Sequence, residues 1–85
     1  MHIGDDEMLT LDLLMDDKPE RFFGTPADIV TAMNDTAMDP TPDSASYMAR
    51  FSRFAKLVNG QKIRTETEAA FVEDMIAAGL ARKAD

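Results

Sequence analysis

The chain has 85 residues and no cysteine, so no disulfide can hold its fold together. At this length a hydrophobic core is close to the smallest that stabilises a domain by itself. The apolar share of 45% suffices for such a core and is too high for a wholly disordered chain. We therefore expect one packed domain over residues 8–80, with residues 1–7 as a disordered leader and residues 81–85 as a frayed tail.

The start of this domain has the pattern of a β-hairpin. Apolar and polar side chains alternate over residues 9–15, which predicts a strand with one apolar face. Residues 16–19 have turn composition, and residues 20–23 can return as a second strand. Leu14 interrupts the alternation, so a helix beginning near Asp6 is the alternative.

Three later segments begin with helix start signals. Residues 25–26 (Thr-Pro) predict a cap and first turn for a helix that ends within residues 34–37. Residues 41–42 repeat this signal for a second helix, which residues 59–60 (Asn-Gly) should end. Thr65 and Glu68 have the spacing of a capping box for a third helix.

The predicted helices carry apolar stripes that a small domain must bury. In the second helix the stripe comprises Tyr47, Met48, Phe51, Phe54, Ala55 and Val58. In the third helix it comprises Phe71, Val72, Met75 and Ile76. Residues 61–64 have the composition of a short extended segment and would supply a third strand. We expect an α+β fold: an N-terminal hairpin, three helices and this short strand.

Charge is segregated along the chain. Residues 1–43 carry eleven acids and two bases, a net charge of −9, and residues 44–65 carry five bases and no acid. A basic segment in an acidic chain is where an anionic partner, or the chain's own acidic segment, would bind. The candidate partner-binding residues are Arg50, Arg53, Lys62 and Arg64.

The residue inventory argues against catalysis and bound cofactors. His2 is the single histidine and lies in the expected leader, so Cys/His and Ser/His/Asp arrangements lack their residues. The carboxylates of residues 5–7 and 16–17 lack the spacing of a calcium loop. Residues 24–26 lack the phosphate-loop pattern, and Asp28 would repel a phosphate there. We expect no enzymatic activity, no metal and no cofactor.

The chain also lacks signals for membranes or export. No apolar run approaches the roughly 20 residues of a membrane span. Residues 1–7 lack the basic start and apolar stretch of a secretory signal. We therefore expect a cytoplasmic protein that does not bind membranes.

Two roles related to nucleic acids are alternatives. The acidic residues 1–43 would let the protein imitate nucleic acid and inhibit a host enzyme that has a basic surface. The commoner reason for such acidity is solubility. Direct nucleic-acid binding through residues 44–65 is less favoured, because the would-be reading helix is acidic. Its acids are Glu66, Glu68, Glu73 and Asp74.

Several of these caps, core positions and turns form a pattern together. It consists of residues 23–26, 29–30, 33, 47–48, 59–60, 63–65 and 71–80. The pattern resembles small uncharacterised bacterial proteins that are often associated with phages or mobile elements, and it covers residues 9–80. Such proteins have no assigned activity, so the resemblance implies no site residues.

These observations together predict an accessory module that works by binding another protein or itself. In one concrete version, a homodimer pairs the basic residues with an acidic patch on the second copy. That patch comprises Asp12, Asp16 and Asp17.

Overall fold

The computed structural model of the chain describes residues 2–14, 19–37 and 39–84. The elements are β1 (Leu9–Leu13), β2 (Glu20–Gly24), α1 (Pro26–Thr36), α2 (Ser44–Asn59), α3 (Glu68–Ala77) and β3 (Ala81–Lys83). The strands form one antiparallel sheet in the order β2-β1-β3. The predicted α+β class, with a hairpin before the helices of a single small domain, is confirmed.

The third strand lies elsewhere than predicted. Residues 61–64 are not part of the sheet, and Ala81–Lys83 pairs with the free edge of β1 instead. After α3 the backbone turns at Gly79, and the Leu80 carbonyl accepts a hydrogen bond from Leu14 N–H at 2.9 Å. The prediction of a frayed tail is therefore wrong for these strand residues, since pairing across the sheet holds them in place.

The N-terminal segment is likewise part of the domain. Ile3 is only 2% exposed and packs in the core, and its N–H donates to Glu73 Oε2 at 3.0 Å. Glu7 Oε2 accepts a hydrogen bond from Lys83 Nζ at 2.9 Å. The expected disordered leader is therefore wrong for residues 2–7, because one buried isoleucine and two polar contacts attach this segment to the fold.

The N-caps of α1 and α2 can be compared with those predicted from the sequence. At α1 the prediction is confirmed: Thr25 is the N-cap, Pro26 is the first helical residue, and Thr25 and Asp28 form a capping box. The N-cap of α2 is Asp43, whose carboxylate accepts a hydrogen bond from Ser46 N–H at 2.7 Å. Thr41 is not the cap, because its backbone bonds to the side chain of Asn34 at the end of α1.

The start of α3 also differs from the prediction. Thr67 is the N-cap and accepts from Ala70 N–H at 3.0 Å, so the box predicted for Thr65 and Glu68 is wrong. Just before this start, the backbone N–H of Arg64 donates to the Asp74 carboxylate at 2.8 Å. This contact holds the entering chain against α3, and the helix begins only after residue 67.

The core lies between one face of the sheet and the three helices. Leu9 and Leu11 of β1 are fully buried, as is Phe71 of α3. Phe51 packs edge-on against Phe71 with a centroid distance of 5.4 Å, as expected for two core aromatics. In contrast to the prediction, Phe54 and Val58 of α2 are 47% and 62% exposed. The buried face of α2 is thus narrower than its apolar stripe.

Candidate functional site

The C-terminal half of α2 presents apolar side chains to solvent. Phe54, Leu57 and Val58, which we call the α2 patch, are 47%, 86% and 62% exposed. Their spacing of three and four residues makes them neighbours on the helix surface. Gly60 then ends the helix in the left-handed conformation, with a φ of 68°. The patch therefore lies on the last turns of a helix whose other face is in the core.

Sequence reasoning did not identify this patch. The apolar stripe predicts that Phe54 and Val58 lie in the core, and Leu57 lies off that stripe. The available signal was the width of the stripe: a helix that packs on one side buries a limited sector, and six apolar positions over twelve residues exceed it. The buried sector is formed by Tyr47, Met48, Phe51 and Ala55.

Three cations lie close to the patch in sequence. Arg53 and Lys56 are exposed on α2, and Lys62 is exposed just after the helix. In the part of the chain that the structure describes, these three side chains make no hydrogen bond or ion pair. Their charges are therefore available to an external anion.

Arg50 is held only loosely. Its Nη1 lies 3.6 Å from Asp39 Oδ2, and the Asp39 side chain is 95% exposed. Its guanidinium also lies 5.9 Å from the centroid of the Tyr47 ring. Such an exposed pair contributes little to stability, so Arg50 can exchange Asp39 for another carboxylate at low cost.

Arg64, the fourth predicted site residue, faces another part of the fold. Its Nε and Nη2 donate to the two Asp74 oxygens, each at 2.9 Å, and Glu73 Oε1 lies 3.6 Å from Nη2. The hydrogen bonds from Arg64 hold the pKa of the Asp74 carboxyl below its usual range. Arg64 thus attaches the loop after α2 to α3, and its charge is already compensated.

Asp12 is not the surface acid that the predicted homodimer requires. Its side chain is only 4% exposed, because Arg21 on β2 and Arg82 on β3 lie directly opposite it and cover it. The Arg21 guanidinium, together with Arg82, lowers the pKa of the Asp12 carboxyl. The other two members of the proposed acidic patch, Asp16 and Asp17, lie outside the described residues.

An open cleft of about 330 Å³ lies between the N-terminal segment and the start of α3. Glu73 at this cleft accepts a hydrogen bond from Ile3 N–H, and its Oε1 lies 3.6 Å from Arg64 Nη2. Within residues 2–14, 19–37 and 39–84, no group of three or more potential metal ligands is arranged to hold an ion. In the same ranges, no helix has the length and apolar character needed to cross a bilayer.

Comparison with protein-family models, with curated proteins and with solved structures finds no match. The association with phages or mobile elements therefore stays a prediction from the sequence pattern.

Proposed function

We propose that this protein is a non-enzymatic accessory module of the bacterial cytoplasm that binds an acidic partner protein through the α2 patch. The observation that carries the proposal is the exposure of Phe54, Leu57 and Val58 beside Arg53 and Lys56, two cations without partners among the described residues. Exposed apolar groups that lie close together and are bordered by charge are typical of protein interaction sites.

The patch supplies binding energy and the cations supply selectivity. Full burial of a leucine or phenylalanine side chain stabilises a complex by about 1.5–3 kcal/mol. Leu57 is 86% exposed and would gain most of this amount on docking. The neighbouring cations favour a partner surface that carries negative charge, such as carboxylates, and increase the association rate.

The chemistry of the patch favours a helical, acidic segment as the occupant. A partner helix can place apolar side chains on Phe54 and Leu57 at intervals of three and four residues, with carboxylates along its flanks. Self-association through α2 would instead bring Arg53 and Lys56 of two copies together, which costs free energy. We therefore favour another protein over a second copy of this chain.

Imitation of nucleic acid by residues 1–43 has less support, because several of those acids have internal roles. Glu7 bonds to Lys83, Asp12 to two arginines, and Asp28 and Asp43 cap helices. Acids committed in this way are spread over the fold and do not form one row of free charges. We infer that docking through α2 is the better account of the charge segregation.

The experiment is affinity capture from a bacterial lysate, followed by calorimetric titration of the purified captured protein. Leu57→Ser should weaken binding by at least about tenfold, since loss of a buried leucine costs more than about 1.4 kcal/mol. Met8→Ser, at a residue 53% exposed outside α2, is the matched control and should bind like the wild type.

Charge is tested separately from apolar contact. Arg53→Glu combined with Lys56→Glu should abolish capture of the same protein and should slow association at low salt. Equal binding by Leu57→Ser and the wild type, or a basic binding surface on the captured protein, would refute the proposal.

A further inference from the structure

The sheet has a second face that the helices do not cover. The buried apolar side chains of the strands, such as Leu11 and Phe22, share one face because they lie opposite each other in the register. Phe23 on β2 lies on the opposite face and is 67% exposed. We call Arg21, Phe23 and Arg82, with Asp12 between the two arginines, the open sheet face.

Two guanidinium groups are fixed on this face by one carboxylate. Asp12 Oδ1 accepts from Arg21 Nε at 2.8 Å, and Asp12 Oδ2 accepts from Arg21 Nη2 at 3.1 Å and from Arg82 Nη2 at 3.2 Å. The side chains of Arg21 and Arg82 remain 67% and 66% exposed. One negative charge faces two positive ones, so a net positive charge is left on the open sheet face.

These guanidinium groups keep donors for a ligand. Each has five N–H groups, of which Arg21 uses two and Arg82 one on Asp12. Paired guanidinium groups suit oxyanions such as phosphate, because the planar donors of each guanidinium can bond two oxygens of the anion at once. Because Asp12 holds both side chains in place, less side-chain freedom is lost when an anion binds.

An exposed aromatic ring lies next to this anion site. Phe23 is two residues from Arg21 on β2, so both side chains project from the same face roughly 7 Å apart along the strand. An aromatic ring on an open sheet, beside arginine, is a stacking surface for an unpaired base. Within one nucleotide, base and phosphate are separated by a comparable distance.

We propose that the open sheet face binds single-stranded nucleic acid, with a phosphate on Arg21 and Arg82 and a base stacked on Phe23. A duplex is a poorer ligand, because its bases are stacked on each other and cannot reach Phe23. A peptide strand would add to an edge of the sheet, not to its face. The surface is separate from residues 44–65, so the proposal is independent of docking through α2.

The net charge of −7 does not prevent this binding. At physiological salt, charges more than about 8 Å apart are largely screened, so the groups in contact with the strand decide the affinity. A single phosphate contact predicts a shallow salt dependence, with log K falling by about 0.7 for each unit of log salt concentration. A protein that used all of its cations would show a much steeper slope.

The test is fluorescence anisotropy with a labelled single-stranded oligonucleotide of about 12 nucleotides, a length within the range that small folds bind. Phe23→Ala should weaken binding about tenfold, because stacking on one base accounts for an effect of this size. Thr65→Ala, at an exposed position before α3 and outside both surfaces, is the control, with unchanged affinity expected. Arg82→Lys keeps the charge but loses the planar donors, and should weaken binding several-fold.

Equal affinities of Phe23→Ala and the wild type would overturn the proposal. So would equal binding of a duplex of the same sequence, no binding at all, or complete competition by an acidic peptide. Thermal melts followed by circular dichroism establish that each variant is folded before its affinity is compared.

Discussion

Replacement of Phe71 by alanine tests the packing of the domain most sharply. Phe71 is fully buried in α3 and packs edge-on against Phe51, with a centroid distance of 5.4 Å. Phe→Ala changes in cores cost about 3–5 kcal/mol. Lost burial accounts for about 1.5–3 kcal/mol of this, and the lost aromatic pair for about 0.5–1.5 kcal/mol.

That loss is large relative to the stability of the domain. At about 0.05–0.15 kcal/mol per residue, a chain of this size has roughly 4–13 kcal/mol in total. Phe71→Ala should therefore lower the melting temperature by more than about 12 °C or leave the chain unfolded. Phe54→Ala deletes the same atoms from a side chain that is 47% exposed, so we expect a loss below about 1.5 kcal/mol.

The assay is urea unfolding of both variants, followed by circular dichroism at constant pH. The urea concentration at the unfolding midpoint should fall strongly for Phe71→Ala and slightly for Phe54→Ala. The slope of the unfolding free energy against urea concentration should stay unchanged. Similar losses for the two variants would refute the assignment of Phe54 to the surface, and with it the basis of the α2 patch.

Three further predictions concern pH, backbone conformation and the last strand. The pKa values of Glu7, Asp12, Asp43 and Asp74 are lowered in the folded protein, by Lys83, Arg21, the Ser46 backbone N–H and Arg64 respectively. Unfolding therefore takes up protons. The stability that these groups contribute is present above about pH 4 and should be lost as the pH falls further. Urea midpoints that stay constant as the pH is lowered would contradict this. Gly24→Ala should lower the melting temperature more than Gly60→Ala. Gly24 has a φ of 141°, and an added Cβ would lie 2.7 Å from Asp28 Cβ. A Cβ added at Gly60 would have no neighbour within 4 Å. Deletion of residues 81–85 should reduce the urea midpoint strongly because it removes β3 from the edge of β1, whereas a frayed tail would leave the midpoint unchanged.

Local signals in the sequence predicted the hairpin and the first helix. Alternation over residues 9–13 and the cap at Thr25 depend on neighbours a few residues away, so the sequence alone is sufficient to recognise them. The helix starts at Asp43 and Thr67 were displaced by two residues, because adjacent residues compete to cap the same helix.

Local signals do not predict contacts between residues that are far apart in the sequence. Strand β3 forms because β1 has a free edge to pair with. Ile3 is buried because it packs in the hydrophobic core next to α3. The sequence alone predicts that Asp12 faces solvent. The strand register of the structure places Arg21 and Arg82 on either side of it. Of the predicted site residues, Arg50 and Arg53 lie on α2 near the patch, whereas Arg64 belongs to a contact with α3.

The most direct measurement of the central claim is crosslinking in cells from a photo-reactive amino acid placed at position 57. The same group at the exposed position 35 of α1 is the control. Docking through the α2 patch predicts a product with one other protein from position 57 alone, joined at a helical segment rich in Asp and Glu. Equal products from both positions, a basic segment at the junction, or crosslinks to a second copy of this chain would contradict the account.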